Sequence, residues 1–214
     1  MIGDQIQSEQ INSLAASELL KAFKELTIKE KLVLAIAGES GSGKTYMSAA
    51  LQAAFETNGR KAKILHMDDF FLLPPAQNHQ HRLLDMQNVG PQEVDLKRLQ
   101  QLLIAFKSGI SIIKVPLVHY FEDRIEEVEM ELSDTRVLII EGTYSFYLEQ
   151  TDFHLFMSRD YKQTRALREK RNRGNEVNDP FVELVLEKEH LLISSKKSKA
   201  NAWIDFDFNL RYDV

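Results

Sequence analysis

The sequence predicts an α/β fold with a mostly parallel central sheet flanked by helices, on three observations. Short apolar runs, KLVLAIAG (31–38), AKILHMDDFF (62–71), RVLIIEG (136–142) and FHLFMS (153–158), have the unbroken apolar character of strands buried on both faces. Segments of helical spacing separate them, and strands alternating with helices build a parallel sheet wrapped by helices. A glycine-rich stretch, GESGSGKT (38–45), falls where the first strand gives way to the next helix.

Each element follows from its pattern. Residues 8–30 read as an amphipathic helix, with Ile11, Leu14, Leu19, Ala22, Phe23 and Leu26 near one face. We expect it to pack beside the domain as the main part of an N-terminal segment, 1–30. After the first strand, Met47, Ala50, Leu51, Ala54 and Phe55 give a helix over 44–57, stopped by Asn58-Gly59. PPAQNHQHR (74–82) breaks the periodicity and reads as an exposed loop. A helix is expected over 92–107, with Leu96, Leu99, Leu102, Leu103 and Phe106 inward. Two strands, 110–118 and 126–132, flank a charged turn. A basic helix over 160–173 and a further helix over 179–193 precede WIDFDFNL (203–210), whose strict alternation predicts a late strand. With no internal repeat or linker, residues 1–214 read as one domain, with 160–178 as a lid-like segment.

Composition narrows the function. A net charge of −5 argues against nucleic acid as a partner, since a phosphate backbone is bound by a basic surface. The absence of cysteine excludes disulfides and thiolate metal sites. No apolar run approaches the roughly 20 residues that span a bilayer, and the polar start MIGDQIQSEQ is unlike a secretory signal. A cytoplasmic protein with no membrane partner is expected. Oligomeric state has no signature here.

GESGSGKT meets the pattern G-x-x-x-x-G-K-[ST] of a phosphate-binding P-loop. Gly38, Gly41 and Gly43 let the backbone wrap closely, so that N–H groups along Gly38, Glu39, Ser40, Gly41, Ser42, Gly43, Lys44 and Thr45 point inward at phosphate oxygens. The following helix adds its positive end. Lys44 supplies a mobile charge for the β- and γ-phosphates, and Thr45 a hydroxyl for Mg²⁺. The fold class is thus sharpened to a P-loop NTPase three-layer fold. Acidic groups at neighbouring strand ends complete such a site, and Glu141, Asp68 and Asp69 are placed to do so.

The Asn-Lys-x-Asp segment of a guanine reader is absent, and the chain is short for a motor. A small kinase needs a base for an acceptor hydroxyl, an acceptor pocket and arginines to neutralise the transferring phosphoryl. Asp68 is placed to serve as the base. Asp69, Phe71, His81, Arg82, Tyr120 and Tyr144 are candidates for the pocket. TRALREKRNRG supplies Arg165, Arg168, Arg171 and Arg173, of which Arg165 and Arg168 share a helix face. A solvated basic face is the competing reading of that run.

GESGSGKT, HMDDFF, GPQEVDLKRL, VLIIEGTYSF and TRALREKRNRG occur in the order and approximate spacing of the uridine kinase-like family, the phosphoribulokinase/uridine kinase group. The resemblance extends over roughly 32–210. It implies ATP with Mg²⁺ as donor and a small-molecule hydroxyl as acceptor. It further implies Asp68 as catalytic aspartate, with Lys44, Arg168 and Arg171 also catalytic. Arg165 and Arg173 would lie on the nucleotide, Glu141 beside the metal, and Phe71 where uridine kinases stack a tyrosine on the acceptor. The sequence departs from the family at VGPQEVD, where Val89 occupies the position of an aspartate that reads sugar hydroxyls while Pro91 and Asp95 remain. Val118 and His119 stand where a tyrosine is usual. A kinase of a nucleoside-like or related small metabolite is therefore expected, with uridine itself not implied. The alternative is a nucleotide-dependent regulatory protein or slow ATPase that has lost the acceptor site.

Overall fold

The computed structural model describes residues 10–22, 29–165, 168 and 179–212. Five helices are described: α1 (Gln10–Ala22), α2 (Lys44–Thr57), α3 (Pro75–Leu84), α4 (Leu96–Lys107) and α5 (Pro180–Ser194). The strands are β1 (Leu32–Gly38), β2 (Ala62–His66), β3 (Ile112–His119), β4 (Arg124–Glu131), β5 (Val137–Glu141), β6 (Phe153–Met157), β7 (Ala202–Ile204) and β8 (Leu210–Tyr212).

Six strands form the central sheet in the order β2-β5-β1-β6-β7-β8. All neighbours run parallel except β7 and β8. β1 lies at the middle and every residue of it is buried, as its unbroken apolar run requires. Its side chains alternate between two layers. Leu32, Leu34 and Ile36 join α1 and α2 through Leu19, Met47, Leu51 and Phe55. Val33, on the other face, joins α4 through Leu99, Leu103 and Phe106, together with Ile113 and Val115 of β3. Ala35 and Ala37 give a third cluster with Phe146, Phe156 and Ile193 of α5. Small residues there let α5 approach the sheet, which brings that helix to the site.

β3 and β4 pair antiparallel as a separate two-stranded sheet, as the two predicted strands suggested. Other expectations need correction. PPAQNHQHR is the helix α3 rather than a loop, with Pro75 at its first turn, where the missing N–H costs nothing. HMDDFF leaves the β2 strand early, and Met67–Phe70 form a 3₁₀ turn. WIDFDFNL is two short strands, because Asp205 accepts the backbone N–H groups of Asp207 and Asn209 and folds the chain back. Leu14, expected inward, is exposed, while Leu19 is buried. Among the described residues no helix is long and apolar enough to cross a membrane.

Candidate functional site

The site is assembled where parallel strands end. Ile36, Glu141 and His66 lie level across β1, β5 and β2. Two residues beyond them the chain gives Gly38 on one side and Asp68 on the other, so the Gly38–Thr45 loop and the Asp68 turn share one sheet edge. Ligands of doubly wound sheets bind beyond such carboxyl ends.

The loop has the backbone that its glycines permit. Gly41 lies at φ +77° and Gly43 at φ +99°, both in the left-handed region that side chains disfavour. A side chain at Gly41 would also collide, its Cβ falling 3.0 Å from both Arg168 Cγ and Thr164 Cβ. Gly43 caps α2, so the helix N-terminus and its unsatisfied N–H groups face the loop's hollow. Lys44 is buried, and its Nζ donates to the Glu39 carbonyl at 3.0 Å.

Thr45 Oγ1 donates to Glu141 Oε1 at 3.2 Å, and His66 Nδ1 lies 2.7 Å from that same oxygen. Burial alone would push the Glu141 carboxyl up, but the His66 ring, Lys44 and the Thr45 hydroxyl together hold it below the usual carboxylate range. Burial pulls His66 down, and Glu141 more than reverses this, leaving it above the ordinary histidine value. A hydroxyl and an ionised carboxylate converging at the head of α2 are hard oxygen donors. They fit Mg²⁺ of the kind held mainly by phosphate and water. His66 was missed in the sequence, where only its aspartate neighbours drew notice.

The remaining expected residues separate into groups. Asp68 is half-buried on the 3₁₀ turn. Asp69 is buried and its Oδ1 accepts the Val118 N–H at 3.0 Å, tying β3 to the turn. Arg82 is sandwiched between carboxylates: it bonds Glu93 through Nε and, at 3.0 Å, through Nη2, which also lies 3.2 Å from Glu189 Oε1. The two glutamates outweigh the burial that would lower Arg82 and fix its charge. Phe71 lies beneath that guanidinium, 5.8 Å from ring centroid to carbon. Glu93 also accepts from Asn78 Nδ2 and the Gly90 N–H.

Tyr144 is fully buried in the electrostatic reach of Glu189, Glu93 and Arg82, and its hydroxyl has no hydrogen-bond partner among the described residues. Tyr120 is half-buried at the β3–β4 tip, edge-on to Phe121. His81 is exposed and lines an apolar groove with Leu73, Ala76 and Leu84, while Asn78 of the same helix is buried and Arg82 half-buried. Val89 is buried, as its apolar side chain demands.

Within the 160–178 segment, Arg165 is exposed. Arg168 is buried: it bonds the Tyr161 carbonyl, and its Nη1 lies 3.0 Å from Thr164 Oγ1. Thr164 in turn donates to the Ser40 carbonyl at 2.8 Å, so the start of this segment is seated on the phosphate loop. Arg171 and Arg173 lie outside the described residues.

α5 touches both halves of the site. His190 Nδ1 lies 2.6 Å from Glu39 Oε1 of the loop, and Glu189 is the partner of Arg82. A signal for Glu189 did exist. Val185, Glu189 and Ile193, four apart, are all buried, so a carboxylate interrupts the apolar stripe of the helix. At the opposite side of the loop, the Arg159 guanidinium stacks 3.8 Å from the ring centre of Phe208. Phe208 is itself at φ +64°, beside Gly43.

Known proteins share this architecture. The structure of a possible uridine kinase from Bacillus stearothermophilus aligns over 88% of this chain and 96% of its own, with a TM-score of 0.63 at 21% identity, a likeness of fold. A bifunctional alpha-galactosidase/sucrose kinase of Mediterraneibacter gnavus is 28% identical over 191 residues, 84% of this chain and 20% of that protein. A pantothenate kinase of Shewanella denitrificans is 30% identical over 124 residues, 57% of this chain and 39% of that protein. The chain thus spans only a fifth to two fifths of these two relatives. The model of the phosphoribulokinase/uridine kinase family matches residues 33–200. With a phosphate loop, a strand-end carboxylate and an aspartate turn on one sheet edge, the chain belongs to the phosphoribulokinase/uridine kinase family of small-molecule kinases.

Proposed function

We propose that the chain transfers the γ-phosphoryl group of ATP to a hydroxyl of a small-molecule acceptor. The observation that carries this reading is the level register of His66, Glu141 and Ile36, which puts Asp68 and the phosphate loop at one edge. The loop's N–H groups and Lys44 bind the phosphates, and the Arg159–Phe208 stack offers a flat face for the adenine. Thr45 and Glu141 would hold Mg²⁺, which when bound neutralises charge between the phosphates. Asp68 orients the acceptor hydroxyl and takes its proton as the oxygen bonds to phosphorus and ADP departs.

Arg171 is assigned to the transferring phosphoryl, with Arg165 and Arg173 on the nucleotide. Arg168, bonded to the Tyr161 carbonyl, is assigned to seating that segment on the loop. Most of the rate would come from positioning and charge stabilisation, as phosphoryl transfer requires. The relatives' names, sucrose kinase and pantothenate kinase, cover unlike acceptors, so family membership leaves the acceptor's chemistry open.

ADP release from Mg-ATP is to be measured against a panel of sugars, nucleosides, glycerate and pantothenate. Acceptor-dependent release is expected, falling by about 10²–10⁴ in Asp68→Asn with ATP binding retained. Release indifferent to every acceptor and to this substitution would overturn the reading. It would favour a regulatory protein or slow ATPase, for which buried Val89 is the supporting observation.

A further inference from the structure

We infer that the side chain of Glu39 is a positioning residue. It fastens the root of the 160–178 segment and α5 to the phosphate loop, and so governs the rate of transfer without that side chain touching the nucleotide. The inference rests on the kinase reading above and gives a role to a carboxylate which that reading leaves idle.

The first observation is where the carboxylate points. Glu39 is buried, yet both of its oxygens are engaged by donors from outside the loop. Oε1 lies 2.6 Å from His190 Nδ1 of α5, and Oε2 accepts the Tyr161 N–H at 2.5 Å. A carboxylate only accepts hydrogen bonds, so Nδ1 is the donor in the first pair. These oxygens are committed to protein and are not set out as ligands for phosphate or Mg²⁺.

The second is the main chain of the same residue. The Glu39 carbonyl accepts the Ser42 N–H at 3.1 Å and Lys44 Nζ at 3.0 Å. It thus closes the first turn of the loop and receives the lysine proposed for the phosphates. One residue therefore organises the loop through its carbonyl and grips what packs outside through its carboxylate.

The third is that the grip is shared. Thr164 Oγ1 donates to the Ser40 carbonyl at 2.8 Å. Arg168 bonds the Tyr161 carbonyl and reaches Glu183 of α5 at 3.4 Å. The Tyr161 and His190 rings lie 5.9 Å apart. Loop, segment root and α5 are thus bonded pairwise, and Glu39 touches both of the other two.

Charge argues against a simple nucleotide-binding role. A carboxylate beside an anion site opposes the phosphates it must admit. What it supplies is a pair of charge-assisted hydrogen bonds, which are among the strong ones. Misplacing a reacting group by an ångström costs on the order of 10²-fold in rate, whereas the loop's N–H groups bind phosphate with or without this side chain.

Three measurements on the full chain test this: initial rates with Mg-ATP over sugars, nucleosides, glycerate and pantothenate, calorimetric ATP binding, and amide hydrogen exchange at Tyr161. Glu39→Ala should lower kcat about tenfold to a hundredfold, with ATP affinity unchanged or tighter. The Tyr161 amide should exchange at least about tenfold faster. Glu39→Gln, whose amide oxygen can still accept the Tyr161 N–H, should recover most of both. His190→Ala should lower kcat about threefold to tenfold, and His190→Asn, whose Nδ2 can stand in for Nδ1, should restore it. His190 is half-buried, so its variants decide the matter even where Glu39→Ala fails to fold. Joining His190→Ala to Glu39→Ala should cost little more than Glu39→Ala alone, because the two remove the same bond.

An unchanged kcat in Glu39→Ala overturns the inference, as does ATP binding lost in step with kcat, or Tyr161 exchange equal to wild type. Failure of His190→Asn to restore what His190→Ala loses counts against it too. A wild type that phosphorylates nothing in the panel sinks the kinase reading instead, and exchange at Tyr161 still decides whether Glu39 holds the root.

Discussion

The two halves of the site are built on opposite plans. The phosphate half comes from one continuous stretch, Gly38–Thr45, in which neighbouring residues set each other's backbone and the groups aimed inward are mostly N–H. The half we propose for the acceptor gathers Asn78 and Arg82 from α3, Glu93 from a 3₁₀ turn and Glu189 from α5. Its chemistry lies in side chains far apart along the chain, Arg82 and its partner Glu189 being 107 positions apart. The first plan resists change, because a residue's neighbours enforce it. The second allows one contact to be exchanged for another on a different element, which suits a family whose members differ in acceptor.

The sharpest way to break the phosphate half is Gly41→Val. A β-branched residue at φ +77° is strained, and its Cβ has Arg168 and Thr164 only 3.0 Å away. Displacing the loop by even an ångström costs on the order of 10²-fold in rate, so turnover should fall at least that far. Calorimetric binding of ATP should be lost with it. A variant that still binds ATP normally would show that the loop is less rigid than its backbone implies.

Arg82→Met strikes the acceptor half and should act on stability first. It leaves Glu93 and Glu189 buried without their shared cation, a loss of about 3–5 kcal/mol, or roughly 10 °C in Tm for a chain of this size. Adding Glu189→Gln to Arg82→Met should recover part of that loss, since one stranded charge is gone. Thermal unfolding of the two variants checks this. A fall no larger than that of a surface substitution would mean that the cluster is open to water, not a closed network.

The contrast also governs what the sequence discloses. The phosphate loop and the β1 run LVLAIAG were legible because both are local patterns with a fixed period or spacing. α3 was not, since the face it buries is polar. Asn78 and Arg82 face Glu93 where an apolar stripe would have announced a helix, and PPAQNHQHR therefore looks like a loop. Asp205 defeated the reading of WIDFDFNL in another way: its carboxylate makes a turn that alternation alone cannot reveal. Glu93 carries no local signal, because its partners are known only after folding. Glu189 did carry one, as a charge on a buried helical stripe.

The smallest effect, and the most specific to the acceptor half, is in the pH dependence of stability. Burial raises the Glu189 carboxyl above the ordinary carboxylate value, Glu93 and Asp68 raise it further, and Arg82 and Lys44 offset only part of this. A carboxyl with a raised folded-state pKa keeps its proton in the native protein at a pH where the unfolded chain has lost it. Its contribution is fully present below the unfolded value of about 4.5 and is lost as pH rises through the folded value. Ionising Glu189 in place therefore costs stability, and Glu189→Gln removes that cost at every pH. The difference in unfolding free energy, Glu189→Gln minus wild type, should grow as pH rises from about 4.5 and then level off once Glu189 is ionised. Denaturant titrations across that range measure it. A difference that shrinks with rising pH would mean that Arg82 holds Glu189 ionised, and that the acceptor half, like the phosphate half, is electrostatically complete before any ligand arrives.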